Sequence, residues 1–265
     1  MVFNHAPHPS VKIAISGKGG VGKSTLAGAL SLLMAKHGRK VLALDADPDA
    51  NLASCLGMPE ALQKAIVPLS KQIALIEERT GAKVKQYGQM FKLNPEVSDI
   101  ADTYAINFNN VALLVVGAIE RGGSGCACPE NVFIRALVTD LVLHNNEALV
   151  MDMEAGIEHL GRGTARGVDT LIVVVEPGQR SIDSAKRIIA MSADIGLTRI
   201  QFVANKVTNL QDVQFISDSL SAPLLGSIPY CEELRQSDRS GKSVLDGLKP
   251  DIAAEFERIL NKLIM

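Results

Sequence analysis

The run Gly17-Lys18-Gly19-Gly20-Val21-Gly22-Lys23-Ser24-Thr25 constrains this chain more than any other stretch. Gly17 and Gly22 enclose four residues and are followed by Lys23 and a hydroxyl residue, the spacing of a phosphate loop. Its flanks agree: Val11 to Ser16 predicts a short apolar strand, and Thr25 to Lys36 carries Leu26, Leu30, Leu33 and Met34 at helical spacing before a C-cap at Gly38. Glycines let the backbone curl closely around phosphate oxygens with its N–H groups inward, and the dipole of the following helix favours negative charge there. Gly17, Gly19, Gly20, Val21, Gly22, Lys23, Ser24 and Thr25 are therefore the expected nucleotide-binding residues. Lys23 is expected to reach the β- and γ-phosphates, and the Ser24 hydroxyl is placed to ligate the Mg2+ that bridges them.

With 265 residues the chain can bury a full core, and one α/β domain over residues 11–265 behind a loose tail at 1–10 is expected. Apolar strand-like runs at Val11, Val41, Val111, Ala148, Leu171 and Ile200 alternate with helical stretches, which predicts a single open, mostly parallel sheet with helices on both faces. Weaker helical patterns lie at Ala61 to Ile66 and Gln72 to Thr80. Pro250 to Met265 sets Ile252, Phe256, Ile259, Leu260 and Leu263 on one helical face, with charges of both signs elsewhere. That mixed polar face suits packing onto the sheet better than lying on a membrane. A formal net charge of -2 offers no basic footprint for nucleic acid, and no apolar run is long enough to span a bilayer. Residues 1–10 lack the cationic start and apolar centre of a secretion signal, so a cytoplasmic setting is expected, with His5 and His8 solvated.

Acidic residues gather where such a sheet places its ligands. Lys40 to Asp45 predicts the second strand, and Asp45-Ala46-Asp47-Pro48-Asp49 follows at its carboxyl end. In extended backbone Asp45 and Asp47 point to the same side, so both can face Mg2+ and the γ-phosphate, while Asp49 is expected to cap a helix over Ala50 to Leu56. Ala148 to Met151 predicts another strand, ending in Asp152 as the acid that holds a Mg2+-bound water. Ile228-Pro229-Tyr230, after a further strand, is expected to close the adenine side of the site.

The second informative loop is Arg121-Gly122-Gly123-Ser124-Gly125-Cys126-Ala127-Cys128-Pro129-Glu130-Asn131, leading into a helix expected from about Asn131 to Leu143. Two thiols one residue apart can turn toward one ion, and a helix N-terminus lowers a thiol pKa. They supply half of a tetrathiolate; the remainder can come from Cys55 with Cys231, from solvent, or from the same loop of a second subunit. The four cysteines are too few for a disulfide scaffold, and Cys55 and Cys231 read as unliganded thiols.

Lys18, a second lysine directly after the first glycine, is not needed to cradle phosphates. KGGVGKST resembles the deviant phosphate loop shared by nitrogenase iron proteins, MinD and ParA positioning ATPases, and metal-inserting maturation ATPases. Combined with GCACPEN it is similar to the CooC-like ATPases that insert nickel into carbon monoxide dehydrogenase, and to their relatives serving acetyl-CoA synthase, over nearly the whole chain from residue 11.

This resemblance implies an ATP-hydrolysing homodimer in which Lys18 reaches the partner's nucleotide and neutralises charge developing on the γ-phosphate. It assigns Asp45 to a Mg2+-bound water, Asp47 to orienting the attacking water, Asn205 to the purine edge and the Lys206 stem to the face of the base. Beside that dimer axis the second subunit is the favoured source of the missing thiols, so that Cys126 and Cys128 of two chains hold one Zn2+, or Ni2+ if the site flattens. Met153 to His159 is similar to the second switch of MinD-like ATPases, with Glu154 in place of the proline common there and His159 read as a surface residue. The alternatives are an iron-sulfur reductase resembling the nitrogenase iron protein and a MinD- or ParA-like positioning ATPase; the acidic balance speaks against the second.

Overall fold

Apolar residues alternate between two buried faces along the central strands, and this period-two pattern sets the architecture. Ile13 and Ile15 face one core and Ala14 the other; Val41 and Ala43 oppose Leu42 and Leu44; Ile172 and Val174 oppose Leu171 and Val173. The computed structural model describes residues 9–84, 86, 88–117, 129–140, 146–154 and 168–264. Its strands are β1 (Val11–Gly17), β2 (Lys40–Ala46), β3 (Ile106–Phe108), β4 (Val111–Val115), β5 (Glu147–Met153), β6 (Thr170–Val175), β7 (Ile200–Val207) and β8 (Leu224–Pro229). They form one eight-stranded sheet in the order β3-β4-β2-β5-β1-β6-β7-β8, parallel throughout except for the β3–β4 pair. The expected open α/β sheet with helices on both faces is thus the observed fold.

On one face, helix α1 (Lys23–Lys36) and the carboxyl-terminal helix Pro250–Ile264 cover the sheet. The five apolar residues expected on the latter's inner face, Ile252, Phe256, Ile259, Leu260 and Leu263, are all buried. Full burial of each large side chain contributes about 1.5–3 kcal/mol, so this amphipathic stripe is enough to dock the helix. The helix lies so close to β8 that a Cβ on Gly226 would collide with Ile259. On the other face lie the helices Ile73–Thr80, Pro129–Asp140 and Gln179–Ile195.

Two local expectations are corrected. Asp49 does not cap the next helix, which is only Leu52–Cys55; the Leu52 N–H is instead taken at 2.9 Å by Asp45, whose carboxylate reaches forward from β2. Edge strand β3, which the apolar pattern did not predict, is folded back onto β4 by Asn109 and Asn110, with φ of 50° and 61°. Two successive left-handed residues make the two-residue hairpin turn whose twist matches that of the strands it joins.

Candidate functional site

Sheet register assembles the site. Asp45 lies directly beside Asp152 across β2 and β5, and Ile15 lies beside Asp152 across β1 and β5, so both acids meet the loop that leaves β1. The loop turns where only glycine fits comfortably. Gly17 has φ of 152° and a Cβ there would stand 2.5 Å from the Val174 carbonyl oxygen, while Gly22 has φ of 100° and a Cβ there would strike the Asn205 amide. Gly22 also precedes α1 without any side-chain cap, and the first turn of α1 holds no acidic residue. The leading N–H groups of the helix therefore lack a protein carboxylate and present positive potential at the loop.

Lys23 is buried, with its Nζ 3.5 Å from Asp47 Oδ2. Asp45 is fully buried and accepts from the N–H groups of Leu52 at 2.9 Å and Asp47 at 3.2 Å. Burial pushes its pKa up to about 6 against the pull of those donors. Asp152 is also fully buried, and neither of its oxygens has a well-formed hydrogen bond. Burial first, and then the Asp45 charge, push Asp152 up to about 7, opposed by the nearby Ser24 hydroxyl and Lys23 ammonium.

An orphaned buried carboxylate facing a second acid and a hydroxyl is a donor set suited to a hard divalent cation. Among the described residues no group of three or more His, Cys, Asp or Glu side chains could hold a metal by itself. Mg2+ keeps waters and takes ligands from phosphate, so a hydroxyl and two nearby acids suffice for it.

Lys18, half-buried at the loop, donates at 2.7 Å to Glu176, the residue following β6. Lys206 donates at 2.6 Å to the Gly20 carbonyl and lies 3.5 Å from the other Glu176 oxygen. Burial alone would raise the Glu176 carboxyl, yet the two lysines hold it below the usual range. Asn205, expected at the purine edge, has its Nδ2 donating to the Val21 carbonyl at 2.7 Å and its Oδ1 accepting from the Lys206 N–H at 2.9 Å. The amide is used to brace the loop. Lys206 is likewise tied to Gly20, with its own φ at a left-handed 58°.

Beside the loop opens a cavity of about 380 Å3, lined by Gly22, Thr25, Asn205, Lys206, Pro229 and Tyr230 among others. Pro229 stands where the sequence put it, at the end of β8. The same cavity reaches Leu234, Arg235 and Asp238, on a helix, Glu232–Arg239, whose polar sequence gave no hint of a site.

Lys18, Lys23, Ser24, Asp45, Asp47, Asp152, Asn205 and Lys206 are therefore gathered at the carboxyl ends of β1, β2, β5 and β7. Cys126, Cys128 and His159 lie outside the described residues, as do His5 and His8. Cys55 and Cys231 both border the cavity as free thiols. Burial pushes Cys55 up to about 12, and Cys231 donates at 3.0 Å to Glu233. Glu176 is the residue the motifs missed: no spacing rule marks it, and only the pairing of β6 with β1 brings it to Lys18.

Residues 12–244 match the CobQ/CobB/MinD/ParA nucleotide-binding domain. The chain is 44% identical to the carbon monoxide dehydrogenase accessory protein CooC of Rhodospirillum rubrum, over 89% of this chain and 90% of that one. It is also 44% identical to an ATP-binding protein of Methanocaldococcus jannaschii, over 96% and 98% of the two chains. Among solved structures, a chain of the MinC:MinD cell division protein complex of Aquifex aeolicus superposes with a TM-score of 0.68 at 23% identity, covering 96% of this chain and 95% of that one, a likeness of fold. The phosphate loop, the paired acids at the strand ends and these matches converge, and the chain belongs to the CobQ/CobB/MinD/ParA family of nucleotide-binding proteins, where it is CooC-like.

Proposed function

We propose that this chain is a Mg2+-dependent ATPase that works as a cytoplasmic homodimer and assists nickel insertion into carbon monoxide dehydrogenase. Its cargo, Ni2+ or Zn2+, is held by Cys126 and Cys128 of both subunits. The observation that carries this reading is the 44% identity to CooC over 89% of the chain. A client of the acetyl-CoA synthase type would present the same nickel chemistry.

The geometry supports the ATPase half in detail. The glycine loop and the start of α1 cradle the phosphates, and Lys23 exchanges Asp47 for the β- and γ-phosphate oxygens. Freed from Lys23, Asp47 orients the attacking water, a positioning task that suits a carboxylate at the rim of the site. Ser24, Asp45 and Asp152 would hold Mg2+, which would supply positive charge against the β- and γ-phosphates. The base occupies the cavity ending at Pro229, with the Lys206 stem along its wall and Asn205 behind the loop. Lys18 is supplied to the partner's γ-phosphate, so hydrolysis requires the closed dimer, and closure also brings the two thiol pairs together.

The direct test uses nickel-free carbon monoxide dehydrogenase, nickel chloride, ATP and Mg2+, with CO oxidation as readout. Activation is expected with the parent chain and not with Lys23→Ala or Cys126→Ser/Cys128→Ser. Equal activation by the thiol variant removes the cargo site from the account. Stoichiometric iron and sulfide in anaerobically purified protein would instead mark an iron-sulfur reductase.

A further inference from the structure

Glu176 belongs to no motif, yet its one carboxylate joins the ends of three strands. Gly17 is in register with Val174 across β1 and β6, so the first residue past β6 arrives alongside the first lysine of the loop. There Glu176 Oε1 receives Lys18 Nζ at 2.7 Å, while Oε2 lies 3.5 Å from Lys206 Nζ at the end of β7. The root of the side chain is fixed as well: the Glu176 N–H donates at 3.1 Å to the hydroxyl of buried Ser181, in the first turn of the Gln179–Ile195 helix. Lys206 is anchored independently of Glu176 through the Gly20 carbonyl.

We propose that Glu176 is a positioning residue that retains Lys18 within its own subunit and yields it only to a partner's γ-phosphate, setting the threshold for nucleotide-driven dimerisation. This rests on the role given above to Lys18 across the dimer. Two features make the contact a latch that can open. Lys18 is 37% exposed and Glu176 25%, so the pair is partly screened and a triphosphate of several negative charges competes well against one carboxylate. When Lys18 leaves, Lys206 is already positioned to serve as counter-ion, so release does not strand a charge. An ion pair of this exposure shifts an equilibrium only ~2–5-fold. A two-fold dimer opens two such latches at once, which multiplies the effect to about tenfold.

The experiment measures the dimer dissociation constant of the full chain by analytical ultracentrifugation, with Mg2+ and the slowly hydrolysed ATP analogue AMPPNP. The parent, Glu176→Gln, Lys18→Ala and the double variant are compared, with thermal melts to confirm folding. E176Q is expected to tighten the dimer about tenfold, and E176D, which withdraws the carboxylate by one methylene, to give a smaller shift in the same direction. E176D carries the test if E176Q fails to fold. On the Lys18→Ala background, where nothing remains to be released, E176Q is expected to bring no improvement, whereas a scaffolding role would act with or without Lys18. An unchanged or weaker dimer in E176Q, or a gain that persists without Lys18, overturns the latch while leaving the dimer reading intact. A parent that stays monomeric with AMPPNP and Mg2+ overturns the dimer reading and the latch with it.

Discussion

Among the described residues Asp152 is the carboxylate this fold tolerates least without a cation, and removing its charge should change how stability depends on pH. Its pKa is raised from 3.8 to about 7, chiefly by burial, so between those values the native protein keeps a proton that the unfolded chain has lost. Stability therefore falls as pH rises through about 7, the reverse of a salt-bridged aspartate. At about 1.4 kcal/mol per pKa unit the whole effect is about 4 kcal/mol, of which about 3 kcal/mol falls between pH 5 and pH 8. Asp152→Asn keeps the shape and removes the charge. Urea titrations of the nucleotide-free protein in EDTA should show the variant gaining about 3 kcal/mol relative to the parent from pH 5 to pH 8, with groups away from the site cancelling in the difference and Asp45, relieved of its charged neighbour, adding in the same direction. Mg2+ with ATP should restore the parent at pH 8 and do little for the variant. Parallel pH profiles for the two proteins would refute the claim that a buried charge waits there for a cation.

Other outcomes follow from the same geometry. Asn205→Ala removes the 2.7 Å brace to the Val21 carbonyl and leaves that acceptor without its partner; ATP affinity measured calorimetrically should fall about 5–30-fold, the equivalent of the 1–2 kcal/mol that such a loss costs. Phe256→Ala, at a fully buried position between the carboxyl-terminal helix and the sheet, should cost about 3–5 kcal/mol in denaturant unfolding while the ATPase rate of the folded fraction is kept. Lys18→Ala should lower the ATPase rate about 10²–10³-fold, since that lysine is expected to meet the partner's γ-phosphate in the closed dimer and to offset the charge that develops there.

Features written in short stretches of sequence were legible, and features that depend on long-range register were not. The loop from Gly17 to Thr25, the strand ends carrying Asp45 and Asp152, and the carboxyl-terminal helix each follow from local spacing and burial, and each stands where expected. Edge strand β3 is only three residues long, too short for a periodic signal, although Asn109-Asn110 between apolar residues was a readable hairpin turn. The contacts of Asn205 and Glu176 with Val21 and Lys18 could not be read locally, because these partners lie 184 and 158 residues away in the chain. Asp49 was misplaced for a related reason: Asp45 reaches seven residues forward to the N–H that a local rule gave to a closer neighbour.

The most direct test of the account is native mass spectrometry of the anaerobic protein supplied with Ni2+ or Zn2+, Mg2+ and ATP, which weighs the assembly and counts its metal together. A particle of two chains carrying one transition-metal ion, lost on changing Cys126 and Cys128 to serine, is the predicted result. A single chain under saturating nucleotide and metal, or a serine variant that retains the ion, would contradict it.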